Sequence, residues 1–160
     1  KIMHLRQKEN YGCGVYSIAN ALQCEDFVTN EKLELSINGN NVGQLGAWLY
    51  EYRIQCFLSC VIYNNEEVLD IFDLNPTFIE DCENQWVPFF IIIKTNGERN
   101  HRIGCRYMKN GSIVVHDSLY ETEFVYDCFD CFEKAYYGKI IAYDVLRNYQ
   151  NEPIFIKLNN

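Results

Sequence analysis

Apolar residues recur every three to four positions early in the chain, whereas later they crowd into short runs rich in Val, Ile, Phe and Tyr. The first pattern is that of a helix with one buried face and the second that of strands. Val15, Ile18, Ala19 and Leu22 predict a helix over 13–23, and similar spacing predicts a second over 41–53, with weaker helical patterns at 66–73 and 77–82. Strands are expected at 55–63, 87–94, 101–107, 112–116, 139–146 and 153–157, with a short helix over 127–136. Helices first and strands after them imply an α+β fold, N-terminal helices packed on a C-terminal antiparallel sheet. No Pro/Gly/Ser-rich linker, repeat or low-complexity stretch interrupts the chain, so residues 1–160 are read as one domain.

The sharpest local signal is Asn110-Gly111, a hairpin turn between two apolar runs. His101 lies nine residues before Asn110, and Asp117 lies six after Gly111. Pairing the two strands therefore leaves this His and this Asp at the same end of the hairpin, within reach of each other. His116 is expected to point away from Asp117, because neighbours on a strand face opposite sides. A register slip would make His116 the base in place of His101. His4 and His116 are otherwise read as structural.

The first helix opens on Gly12-Cys13-Gly14. A helix N-terminus lowers a thiol pKa, and flanking glycines leave the sulfur uncrowded, so Cys13 alone among the eight cysteines is expected to carry thiolate character near pH 7. A thiolate nucleophile needs an imidazole and a group to orient it, which His101 and Asp117 supply. Gln7, six residues before Cys13, is placed to join the Cys13 backbone N–H as an oxyanion donor.

Gln7, then Cys13-Gly14 at a helix start, then a strand-borne His101, then Asp117 in His116-Asp117-Ser118, resembles the papain-like cysteine peptidases, most closely the compact bacteriocin-processing, C39-type branch. Weaker likenesses extend over roughly residues 5 to 145. They include 41–49 as the second helix, 55–63 as the strand after it, Val87-Pro88-Phe89-Phe90-Ile91-Ile92-Ile93-Lys94 as the buried strand before the histidine, and Glu123-Phe124 with 137–141 as the closing segment. The resemblance implies a thiol hydrolase cleaving a peptide bond through a thioester. In it Cys13 is the nucleophile, His101 the general base and acid, Asp117 the orienting carboxylate and Gln7 an oxyanion donor, with no metal or organic cofactor. Where the family often has an aromatic after the histidine and Pro-Gly after the aspartate, this chain has Arg102 and Ser118-Leu119. Isopeptidase, deamidase or transglutaminase chemistry on the same fold is the alternative activity. A non-catalytic peptide-binding module or a virion or assembly component is the alternative class.

Charge narrows the partners: a formal net charge of −8 opposes phosphate binding, so nucleic acid is not expected, and the polypeptide substrate is what the resemblance implies. No apolar run approaches the ~20 residues of a membrane span, and the N-terminal residues lack a signal-peptide core. A soluble protein in the cytoplasm or another reducing compartment is the expectation, with virion association as an alternative. Eight cysteines in 160 residues fall below the ~8–10% density of a disulfide scaffold. Cys56 and Cys60, four apart on one strand, read as core. Cys128-Phe129-Asp130-Cys131 has zinc-like spacing, yet no second Cys/His pair accompanies it, and no structural zinc is expected. The pairs Glu66-Glu67 and Asp70-Asp73 read as a solvated helix face. Tyr11, Trp48, Trp86 and Tyr120 are candidate groove residues, although burial is the commoner fate of each.

Overall fold

The computed structural model describes residues 3–29, 47, 57–62, 85–95, 99–148, 150 and 154–157, with 57–62 described by backbone alone. The helices expected at 41–53, 66–73 and 77–82 lie outside these residues, apart from Ala47, which is helical. So do Cys56 and Trp48.

The architecture is α+β. Helix α1 (Cys13–Leu22) and the short α2 (Asp26–Thr29) precede strands β1 (Phe57–Ile62), β2 (Gln85–Lys94), β3 (Asn100–Met108), β4 (Ile113–His116) and β5 (Phe124–Tyr126). Helix α3 (Phe129–Ala135) and strands β6 (Ile140–Arg147) and β7 (Ile156–Lys157) follow. The sheet is ordered β1-β6-β2-β3-β4-β5, with β7 joined to β2, and every pairing is antiparallel. Neither α2 nor β5 is evident in the sequence pattern. In β5 both Phe124 and Val125 are exposed, so the strand lacks the alternation that would announce it.

β2 is central and contains Pro88, a residue that cannot donate to a ladder. Pro88 pairs with Arg106 on the β3 side, but on its other side it falls between the β7 pairing at Gln85–Trp86 and the β6 pairing that begins at Phe89. The missing N–H therefore sits where the neighbouring strand changes.

Each face of the sheet carries its own core. On one, Val15, Ile18, Ala19 and Leu22 of α1 pack with Phe27, Phe90 and Leu146. On the other, Phe132 of α3 packs with Phe89, Ile91, Ile103, Cys105, Val115 and Tyr143. Fully burying one such Phe, Ile or Val contributes roughly 1.5–3 kcal/mol. Because both faces are covered, β3 is buried without alternation from His101 to Arg106, and its two arginines need partners inside. Arg102 ion-pairs with the fully buried Asp144 of β6 and lies over the Phe90 ring, and Arg106 lies over the Trp86 ring.

Two features fix α1 on the sheet. The Trp86 indole N–H donates to Ala21 O at 2.8 Å. One turn from Cys13, the helix backbone crosses Gly104 so closely that a Cβ there would stand 2.2 Å from Ser17 O. Gly104 is thus the contact point between helix and sheet.

Residues 3–7 enter beside α1 and are held by side-chain carboxamides. Asn20 accepts from Leu5 N–H at 2.7 Å and donates to Leu5 O at 2.9 Å, while Gln23 does the same for Met3 at 2.7 and 2.9 Å. Each amide stands in for one residue of a partner strand. Further along, Gln7 N–H donates to Ser118 O at 2.7 Å.

Candidate active site

Cys13 is the first residue of α1, and Gly12 at the cap position offers no side-chain bond. The N–H groups of the first turn lack intrahelical acceptors, so they remain donors for a ligand. His101 is the second residue of β3, and Asp117 directly follows β4. Gly104 pairs with His116, so continuing the register sets Asp117 beside Ile103, two residues from His101 on the same strand face. The His101 Nε2–H donates to Asp117 Oδ1 at 2.8 Å, leaving Nδ1 for the hydrogen bond to the Cys13 sulfur. The same carboxylate oxygen accepts Leu119 N–H at 3.1 Å, which closes the turn behind it.

The electrostatics follow from these contacts. Burial pushes the Cys13 thiol up and is the largest single influence. Hydrogen bonds from His101 and the Arg102 backbone N–H, with the positive charge of both residues, together outweigh it and hold the thiol below its ordinary value. His101 experiences the converse. Burial pulls it down most strongly, yet its bonds to Asp117 and Cys13 and their negative charge raise it from 6.5 to about 9. Both shifts favour the thiolate–imidazolium pair over the neutral one.

Iodoacetamide should therefore label Cys13 at pH 7 faster than Cys24 or Cys105, whose thiols burial pushes up. Asp117→Asn deletes the charge that raises His101, so the onset of Cys13 labelling should move to higher pH. Peptide mapping across pH 5–10 reads both effects; an unchanged profile in Asp117→Asn would disprove the coupling. The folding stability contributed by the protonated ring has a definite sign: it is full below pH 6.5 and lost as pH rises through about 9.

Gln7 is half-buried and held at both ends of its amide, with one N–H to spare. Its Nε2 donates to Glu9 O at 2.7 Å, and its Oε1 accepts the Ser118 hydroxyl at 2.6 Å. Because Glu9 O can only accept, the amide orientation is determined, and the second Nε2 hydrogen is left for another acceptor. Ser118 is in the sequence only a polar residue following Asp117, and nothing in its spacing points to Gln7.

His116 lies elsewhere. Arg106 Nε–H donates to His116 Nε2 at 3.0 Å, so Nδ1 carries the His116 proton and donates to His4 Nδ1, also at 3.0 Å. His4 Nε2–H then donates to Tyr120 O at 2.9 Å. Burial first, then the positive charge of Arg106, pulls His116 down to about 3 and keeps it neutral. The register-slip alternative is thereby corrected: His116 is engaged by Arg106 and His4, not by Asp117.

Of the aromatic candidates for a groove, Trp86 is in the core, Tyr11 is half-buried, and Tyr120 is exposed and edge-on to Phe124. The expectation that Cys13 is the sole thiol with a lowered pKa needs amending. Cys128 is lowered too, first by the Cys131 thiol hydrogen bond and then by the Cys131 N–H. Among the described residues no cluster of three or more His, Cys, Asp or Glu could hold a metal ion, and no helix is long and apolar enough to cross a membrane. Compared with known proteins, the chain matches no family model and no curated protein.

Proposed function

We propose that this chain is a papain-like thiol peptidase of the C39-type order, acting by acyl transfer on a polypeptide. The observation that carries the reading is the single imidazole bonded to both Cys13 and Asp117, with thiol and ring shifted in the directions that make an ion pair. The Cys13 thiolate attacks the carbonyl carbon of the scissile bond. The developing oxyanion takes hydrogen bonds from the Cys13 N–H and the spare Gln7 N–H. His101 gives its Nδ1 proton to the leaving amine, and a thioester remains. His101, now neutral, removes a proton from water as the water attacks the thioester, which restores the Cys13 thiolate and the imidazolium.

The test is identification of new N-termini in a peptide library incubated with the protein, followed by kinetics on a verified substrate. Gln7→Ala should lower kcat by about a hundred- to a thousandfold, with KM within a few-fold and a modest fall in melting temperature from the buried Ser118 hydroxyl left without its acceptor, whereas Gln23→Ala should spare turnover. Ser118→Ala, which frees the amide to rotate, should fall between wild type and Gln7→Ala. Release of ammonia or formation of cross-links without new N-termini would replace peptidase by deamidase or transglutaminase chemistry. No acyl product of any kind would leave a binding module. Equal turnover of Gln7→Ala and wild type would remove the oxyanion role.

A further inference from the structure

Away from Cys13, two sulfurs meet at the protein surface. Cys128 and Cys131 bracket the start of α3, both are exposed, and their Sγ atoms stand 3.1 Å apart. The other cysteines whose side chains are described are differently placed: Cys13 is hydrogen-bonded to His101, Cys24 is half-buried and Cys105 is fully buried. We infer that Cys128 and Cys131 form a redox-active dithiol, a site of reversible disulfide formation with low-molecular-weight disulfides and independent of the Cys13 thiol.

The two sulfurs are not equivalent. Cys128 Sγ accepts both the Cys131 thiol hydrogen and the Cys131 backbone N–H, the latter at 3.3 Å. Two donors on one sulfur favour its thiolate, and the same bond holds the proton on Cys131, so Cys128 is lowered and Cys131 raised. Cys128 is therefore the attacking thiol and Cys131 the resolving one. The Cys128 thiolate attacks one sulfur of a disulfide RS–SR and expels RS⁻, which takes up a proton as RSH. Cys131 then loses its proton to solvent and attacks Cys128 Sγ, expelling the second thiol. The protein gives up two hydrogens, and the small disulfide is reduced to two RSH.

Closing the bridge leaves the anchor of α3 in place, because Phe132, on the helix's inner side, is the residue that is fully buried against Phe89 and Tyr126. The sulfurs lie at the outer end of the same element. Oxidation is consequently expected without unfolding.

The test equilibrates the whole protein, and separately Cys13→Ala, in glutathione buffers of increasing oxidised fraction, followed by acid quench, alkylation and peptide mass mapping. A 128–131 link that forms in both proteins and is reversed by excess reduced glutathione is the expected result. Cys131→Ser should trap glutathione on Cys128, whereas in Cys128→Ser the remaining Cys131 should react markedly more slowly. Glutathione adducts accumulating separately on both residues without a 128–131 link would overturn the proposal, and so would a preferred link from either residue to any other cysteine. Equal adduct rates for the two single variants would overturn the assignment of attacking and resolving sulfur. None of these outcomes depends on peptidase activity.

Discussion

Cys13→Ala and His101→Ala should each remove nearly all turnover, a loss of about 10⁴-fold or more by analogy with other nucleophile–imidazole–carboxylate sites. The double variant should be scarcely worse than either single one, since without the sulfur there is no acyl transfer for the imidazole to assist. Asp117→Asn should retain more, because the ring keeps a hydrogen-bonding partner while losing the charge that raises it. His116→Ala supplies the contrast. It leaves the buried Arg106 Nε–H without its acceptor, which costs roughly 1–3 kcal/mol of stability, yet it should spare kcat. Steady-state kinetics on a verified substrate with parallel melting curves decide the matter. Near-normal turnover in His101→Ala, with loss in His116→Ala, would transfer the base to His116.

Gly104→Ala should disable the site without touching any reacting group. Its new Cβ would sit 2.2 Å from Ser17 O, 3.0 Å from Ser17 C and 3.2 Å from Ser17 Cα. All three are backbone atoms of α1, so no side chain can turn aside and the helix itself must move. Cys13 is one turn from Ser17 and His101 three residues from Gly104, so the displacement falls on the contact between them. Overpacking of this kind costs about 1–3 kcal/mol, and a misplacement of ~1 Å can cost about a hundredfold in rate. Gly111→Ala is the control: its φ of +90° strains an alanine, but nothing lies within 4 Å of the added carbon. It should lower the melting temperature and leave kcat alone. If Gly104→Ala turns over and alkylates at Cys13 like wild type, the helix–strand approach does not set the Cys13–His101 distance.

Much of this was legible because it is local or periodic. The α1 stripe and the Asn110-Gly111 turn gave the helix and hairpin to within one or two residues, and counting from the turn put His101 beside Asp117. Other features depend on what meets across the fold. A glycine in a strand pattern marks a close approach without naming the partner, and nothing at Gly104 points to Ser17. Asn20 and Ser17 read as polar positions on a helix surface, yet the helix is buried nearly all round between sheet and N-terminal segment. Arg102 and Asp144 are far apart in the chain and look like ordinary surface charges until both faces of the sheet are covered. Gln7 is singled out by its spacing to Cys13, but its contacts with Ser118 and Glu9 leave no trace in spacing.

The fastening of residues 3–7 has a mechanical consequence. Their bonds run to Asn20, Gln23, His116, Ser118, Tyr120 and Glu121 and not to a strand ladder, so the segment can be peeled away one residue at a time. A pull on the N-terminus loads the Met3 bonds first, then those of His4 and Leu5, including the His4 bond to His116 at the end of β4, and reaches Gln7 before the strand ladders are loaded. Gln7 is thus the part of the candidate site that yields first to force. Cys13, on a helix tied down by Trp86 and pressed onto Gly104, yields only when the domain does.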